Sequence, residues 1–164
     1  MELMKEIHDG ATEVVAGSFT TVRDLKGITE SEMEAVYSLG YNYYRTGNVE
    51  NAEKVFKFLV LFDHLNPKFW MGLGAVRQVK GDLAGAVAAY SYASFLDLSD
   101  PKPQFHAAEC YLSMGDRDSA ASALESLERF APTETERARF YRSKAAARKM
   151  PIKGVSRIGN GGAS

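Results

Sequence analysis

Apolar positions along the chain fall at helical spacing, in blocks separated by short polar or glycine-bearing turns. Leu3, Ile7, Ala11, Val14 and Val15 form one apolar stripe, broken at Gly17. A shorter amphipathic piece follows with Phe19, Val22 and Leu25, ended by Gly27. Thr29 opens "TESE", in which Thr29 and Glu32 have the spacing of a capping box, so a longer helix is expected to start there. The stretch from Phe69 to Tyr90, "FWMGLGAVRQVKGDLAGAVAAY", has no proline and no strand-like alternation, yet it holds four glycines. Each glycine inside a helix costs roughly 1 kcal/mol relative to alanine, so these need a reason.

The reason appears when the sequence is laid against itself at a shift of 34 residues. Gly40, Gly74 and Ala108 coincide, as do Gly47, Gly81 and Gly115, each followed by Asn48, Asp82 or Asp116. Ala52, Ala86 and Ala120 form a third column, Phe56, Tyr90 and Leu124 a fourth, and Leu39, Leu73 and Ala107 a fifth. This pattern resembles the tetratricopeptide repeat, a pair of antiparallel helices A and B with small residues where they cross. The copies fall at about 33–66, 67–100 and 101–134, within a repeat region of 29–134. Small residues at 40/74/108 and 52/86/120 let the two helices approach, and the larger residue at 56/90/124 fills the space beside them. Gly81 and its equivalents end helix A with positive φ, and Pro67, Pro101 and Pro132 punctuate the junctions. The fold class is therefore all-α, three repeats in an α-α superhelix with flanking helices. Gly72 and Gly85 are left without a repeat-level reason.

Residues 1–28 form an N-terminal helical segment that caps the stack, mediates dimerisation through Leu3, Ile7, Val14, Val15 and Phe19, or does both. After Pro132, "TETERARFYRSKAAARKM" places glutamates at its start and cations at its end, as a helix dipole prefers, giving a C-terminal helix over 135–150. Residues 151–164, "PIKGVSRIGNGGAS", have too little apolar content to order by themselves and are expected to be a flexible tail.

Charge adds an asymmetry. Residues 1–136 carry 12 basic and 21 acidic side chains, whereas residues 137–164 carry 8 basic and none acidic. The acidic start "MELMKEIHDG" has no apolar run of a signal peptide, and no uncharged stretch is long enough to span a bilayer. With a single cysteine, Cys110, no internal disulfide can form, and a cytoplasmic protein fits best.

Candidate chemistry is sparse. "GLGAVRQVKG" has Arg77 where a dinucleotide-binding loop needs its third glycine, and no strand precedes it. His8, His64 and His106 are far apart with no ligand spacing, and Cys110 reads as a small buried hydrophobe. No metal, cofactor or catalytic set is expected, and the chain reads as a non-enzyme.

Tyr37, Tyr41 and Tyr44 do go beyond scaffold. Their i, i+4, i+7 spacing forms one stripe on the first helix A, whose repeat packing uses Val36, Leu39, Gly40 and Tyr43. In a stacked superhelix that face lines a concave groove, unless the N-terminal helix covers it as core. The same columns hold Met71, Ala75 and Gln78 with Gly72 alongside in repeat two, and Phe105, Glu109 and Leu112 with His106 alongside in repeat three. An aromatic end, a smooth middle and a mixed polar end suit a peptide ligand, with Gly72 admitting close approach of its backbone. Three helix A rows at roughly 10 Å spacing span about 20 Å, room for roughly six or seven extended residues.

The run from Tyr37 to Leu112, above all "FDHLNPKFWMGLGAVRQ" and "PQFHAAECYL", is similar to the class II chaperones of bacterial type III secretion systems, over about residues 15–130. The resemblance implies an all-helical cytoplasmic bacterial chaperone without a cofactor. It implies partners that are hydrophobic translocator proteins, held by a short N-terminal segment in the groove before export, and a homodimer formed through N-terminal helices. Some members also assist a transcription activator. It places Tyr37, Tyr41 and Tyr44 on the family's groove aromatics, with Phe62 and His64 beside them, and does not extend to residues 140–164. Neither membrane insertion nor nucleic-acid binding is expected. The other readings are a generic repeat adaptor for a partner's tail, and a regulator that uses the basic C-terminus.

Overall fold

The computed structural model describes residues 20–130, 139–141 and 143. Seven helices run through it: α1 (Val22–Leu25), α2 (Glu30–Arg45), α3 (Val49–Phe62), α4 (Pro67–Lys80), α5 (Leu83–Leu96), α6 (Lys102–Ser113) and α7 (Arg117–Phe130). Residues 139–141 and 143 are also helical. Among the described residues there is no strand, and no helix is long and apolar enough to cross a membrane. Packing is chiefly between helices consecutive in the chain, the one-dimensional pattern of a solenoid. The segments carrying Leu3, Ile7, Val14, Val15 and Phe19, and residues 151–164, lie outside the described residues.

Local chemistry fixes the boundaries of the pairs. At the start of α2, Thr29 Oγ1 accepts the Glu32 amide at 3.2 Å while the Glu32 carboxylate accepts the Thr29 amide at 2.8 Å. Those bonds hold the Glu32 carboxyl below its usual range. A second such box, Thr21 with Asp24, starts α1 and was not expected from the sequence. Gly81 ends α4 at φ +82, its amide donating to Gln78 O and the Asp82 amide to Arg77 O. Gly47 and Gly115 take the same conformation. The Asn or Asp after each glycine caps the next helix: Asp82 accepts the Gly85 amide at 3.0 Å and Asp116 the Ser119 amide at 3.0 Å. Gly85 is thereby explained, because a Cβ there would collide with the capping carboxylate of Asp82.

Three clusters make the core. Met33, Ala52, Phe56 and Leu59 of repeat one join Phe69, Leu73 and Val76 of repeat two. Ala86, Val87 and Tyr90 meet Ala107 and Cys110, and Phe105, Ala108, Ala120, Leu124 and Leu127 complete repeat three. Cys110 is fully buried, and burial pushes its thiol up to about 11, so it packs as a hydrophobe.

Two glycines mark the close approaches. A Cβ on Gly74 would sit 2.6 Å from the Tyr90 ring, the crossing expected within repeat two. A Cβ on Gly72 would overlap the Phe56 ring, with even Cζ at 2.6 Å. Gly72 therefore serves the junction between repeats one and two. The expectation that it admits a ligand backbone is corrected: its open side is filled by Phe56.

Leu39 also departs from expectation. Its column is buried in repeats two and three, at Leu73 and Ala107, but Leu39 is 46% exposed. It begins the stack, so no preceding repeat lies against it. Val22 and Leu25 of α1 are exposed too, and Arg23 ties this short helix to the end of α3 through the buried Asp63 at 3.1 Å.

A carboxylate joins repeats one and two on another side. Glu53 of α3 is held at 2.8 Å by Lys57 and at 2.6 Å by Lys80 of α4. Arg77 lies 3.8 Å away and donates to Gly85 O at 3.1 Å. Hydrogen bonds from Lys57 and Lys80 bring the Glu53 carboxyl down to about 2.

Candidate functional site: a groove across the three A helices

A cavity of about 380 Å³ opens where α2, α4 and α6 come together. Tyr44 lines it from α2, Met71, Ala75, Gln78 and Val79 from α4, and His106 and Glu109 from α6, with Tyr90 of α5 as its floor. The 34-residue register explains the convergence, since stacking puts equivalent faces of successive A helices side by side.

The wall is part apolar and part polar. The Tyr90 hydroxyl donates to Gln78 Oε1 at 2.8 Å, and the Tyr90 ring stacks on His106 with centroids 5.5 Å apart. Burial pushes the Tyr90 phenol far above its ordinary value, so it stays a neutral donor. His106 Nδ1 and Glu109 Oε2 lie 2.9 Å apart, with both side chains partly exposed at the rim. A medium-sized apolar space edged by a few fixed polar groups is the usual form of a binding pocket.

The tyrosine stripe is divided in its duties. Tyr37 is half-buried, its ring edge-on to Phe56 at 5.7 Å and 6.1 Å from Phe69. Lys68 Nζ sits 3.9 Å over the same ring and pairs with Glu34 at 2.7 Å. Burial raises the Tyr37 phenol, partly offset by Lys68. Tyr44 likewise packs against the first core cluster. Tyr41 is 49% exposed and stacks on Tyr37 with centroids 6.5 Å apart. Only Tyr41 is surplus to packing. The expectation that all three tyrosines are surplus is corrected, because Phe56 of the same repeat and Phe69 from across the junction both pack on Tyr37.

Other expected groove residues sit elsewhere. Phe105 is 2% exposed, packed into repeat three and covered by Tyr141 at 5.2 Å, so it offers no surface to a ligand. Leu112 packs against the same cluster. Phe62 stacks on Phe58 at 4.2 Å, and the His64 carbonyl accepts the Trp70 indole N–H at 2.8 Å. Neither residue lines the cavity. Tyr90 and Val79 were not expected there. Tyr90 belongs to a packing column and lines the cavity from α5, and Val79 is a rim residue on the turn beyond Ala75.

Tetratricopeptide-repeat profiles match residues 33–66 and 67–100, and a further one matches 104–133. Chaperone protein SicA of Salmonella typhimurium is 33% identical over 119 residues, 73% of this chain and 72% of SicA. The type III secretion translocator chaperone SycD of Yersinia enterocolitica superposes with a TM-score of 0.72 at 34% identity, over 79% of this chain and 96% of SycD. The chain belongs to the translocator chaperones of type III secretion. SycD solved with a peptide of the translocator YopD aligns at 34% identity with a TM-score of 0.63, over 75% of this chain and 98% of that one. Low calcium response locus protein H of Yersinia pestis is 41% identical over 104 residues, 63% of this chain. The chaperone spans 62% of that relative's length.

Proposed function

We propose that this chain is a cytoplasmic, non-enzymatic chaperone that holds hydrophobic translocator proteins before export, gripping a short client segment in the cavity between its A helices. The observation that carries this reading is the convergence of Tyr44, Met71, Ala75, Gln78, His106 and Glu109, from all three repeats, on one cavity. A translocator must carry apolar membrane segments that aggregate in water, and a protein that binds the non-native client keeps it soluble by mass action alone. Two or three anchors at about 1.5–3 kcal/mol each, less the ordering cost, give micromolar to submicromolar peptide affinity.

Tyr41 is not among the residues that line the cavity, but it is the exposed member of the stripe. A client that extends from the cavity along α2 meets it, so its loss separates binding from folding. Tyr41→Ala is expected to weaken binding of a synthetic peptide of the translocator YopD by about 1–3 kcal/mol while leaving the melting curve nearly unchanged. Tyr43→Ala, which removes a ring packed on the first core cluster, should lower the melting temperature first. Titration calorimetry and thermal melts on both variants decide it. Unchanged peptide affinity in Tyr41→Ala means that the client does not use this face.

Leu39, Val22 and Leu25 are exposed apolar residues in the first two helices, and the stripe Leu3, Ile7, Val14, Val15 with Phe19 suits the cover of such residues. Self-association through residues 2–26 is the expected consequence. Sedimentation should give a concentration-dependent dimer that becomes monomeric when Ile7 and Val14 are changed to Glu. A wild type that stays monomeric at high concentration assigns the segment to capping only.

A further inference from the structure

Tyr141, in the helical turn after the third repeat, is half-buried with its ring 5.2 Å from Phe105 and 6.2 Å from His106. His106 is itself part of the cavity wall. The chain after α7 is thus delivered to the cavity rim, and residues 144–164 continue from there.

The composition of those residues suits the cavity. Lys144, Arg148, Lys149, Lys153 and Arg157 are basic and no residue is acidic, while Met150, Ile152, Val155 and Ile158 supply apolar side chains two or three positions apart. The cavity offers Met71, Ala75, Val79 and Tyr44 to apolar groups. Its charged edge is Glu109, paired with His106 Nδ1 at 2.9 Å, and no lysine or arginine is among its lining residues.

Distance permits the contact. Met150 lies seven positions after Ser143, which is about 10 Å of helix or about 23 Å of extended chain. The path starts beside the cavity, since Tyr141 packs against His106 of its lining.

We propose that the segment around Met150–Ile158 occupies the cavity as an intramolecular ligand, so that a client binds by displacing it. This rests on the cavity being the client site. Too little apolar surface for independent order is no obstacle here, because tethering supplies an effective concentration on the order of 1 mM. A segment with an intrinsic Kd of about 0.1 mM would then weaken client binding about tenfold. The arrangement keeps the apolar cavity covered in the client-free chaperone and rejects weak competitors.

Full-length chain carrying Ile152→Asp and Val155→Asp tests this without truncation. With a synthetic peptide of the translocator YopD as probe, the variant should bind about 5–10-fold more tightly than wild type, with the melting curve unchanged. A synthetic peptide of residues 144–164 added to the variant should compete with the probe, and it should bind the variant directly in the probe's absence. Equal probe affinity for variant and wild type overturns the proposal, as does a 144–164 peptide that fails to bind at millimolar concentration. Relief that depends on protein concentration assigns the segment to a second copy and overturns the intramolecular occupant. Direct binding of the 144–164 peptide with no probe binding to either protein leaves the segment's site standing and removes the client reading instead.

Discussion

Replacing Gly72 with alanine destabilises the protein, and replacing it with leucine unfolds the first two repeats. Helix propensity alone gives the opposite sign for alanine, because Gly→Ala within a helix gains roughly 1 kcal/mol. At Gly72 packing wins. A Cβ there would overlap the edge of the Phe56 ring, and Phe56 cannot retreat: it is 2% exposed, its far side meets the Gly40 backbone face, and Tyr37 stands edge-on at 5.7 Å. Overpacking a rigid core costs about 1–3 kcal/mol for a small intrusion and more for a large one. Chemical denaturation of Gly72→Ala should therefore show a net loss of about 1 kcal/mol, the overpacking cost less the propensity gain. Adding Phe56→Leu to Gly72→Ala should cost less than the sum of the two single changes, since the smaller side chain vacates the overlap. A Gly72→Ala variant more stable than wild type would mean that this junction is open and available to a ligand after all.

The second large effect is electrostatic and has a pH signature. Glu53 joins α3 to α4 through Lys80 at 2.6 Å, and its side chain is only 13% exposed. Its carboxyl stands at about 2 in the folded chain, against an ordinary 4.5. A carboxyl lowered by folding contributes stability that is fully present above the unfolded value near 4.5, and that is lost as pH falls through about 2. The contribution at neutral pH is about 2 kcal/mol, allowing for partial solvent screening. Glu53→Gln should accordingly be about 2 kcal/mol less stable than wild type at pH 7, with the gap closing between pH 4.5 and 2. Asp24, Glu32, Asp97 and Asp116 are also held low, by hydrogen bonds at their caps and turns. Both proteins therefore lose some stability in acid, and only the difference between them reports Glu53. A gap that is constant with pH assigns the cost to packing.

These two effects differ in how visible they are before folding. Glycine at position 72 reads in the sequence as an unexplained helix breaker one residue from Leu73, and only the placement of α3 against α4 supplies Phe56 as its reason. Glu53 and Lys80 are 27 residues apart, and nothing local marks them as partners. By contrast, the Gly81 turn, the Asp82 cap and the Thr29 capping box are short-range bonds between residues at most a few positions apart. The sequence therefore specifies them without knowing where any helix lies.

The candidate site divides along the same line. Periodicity places Tyr44, Met71, Ala75, Gln78, His106 and Glu109 on equivalent faces of successive A helices, and regular stacking is all that is needed to bring them together. The sequence by itself thus determined the three helical pairs, their turns and caps, and the face on which a groove would form, because these depend on a repeating local pattern. Tertiary structure alone decided which members of that face remain open. Tyr37 and Phe105 are taken into the core by Phe56, Phe69 and Tyr141, Gly72 is closed by Phe56, and Tyr90 reaches the cavity from a packing column. Each of those outcomes depends on the size of a side chain from a neighbouring helix, and periodicity along one helix carries no record of it.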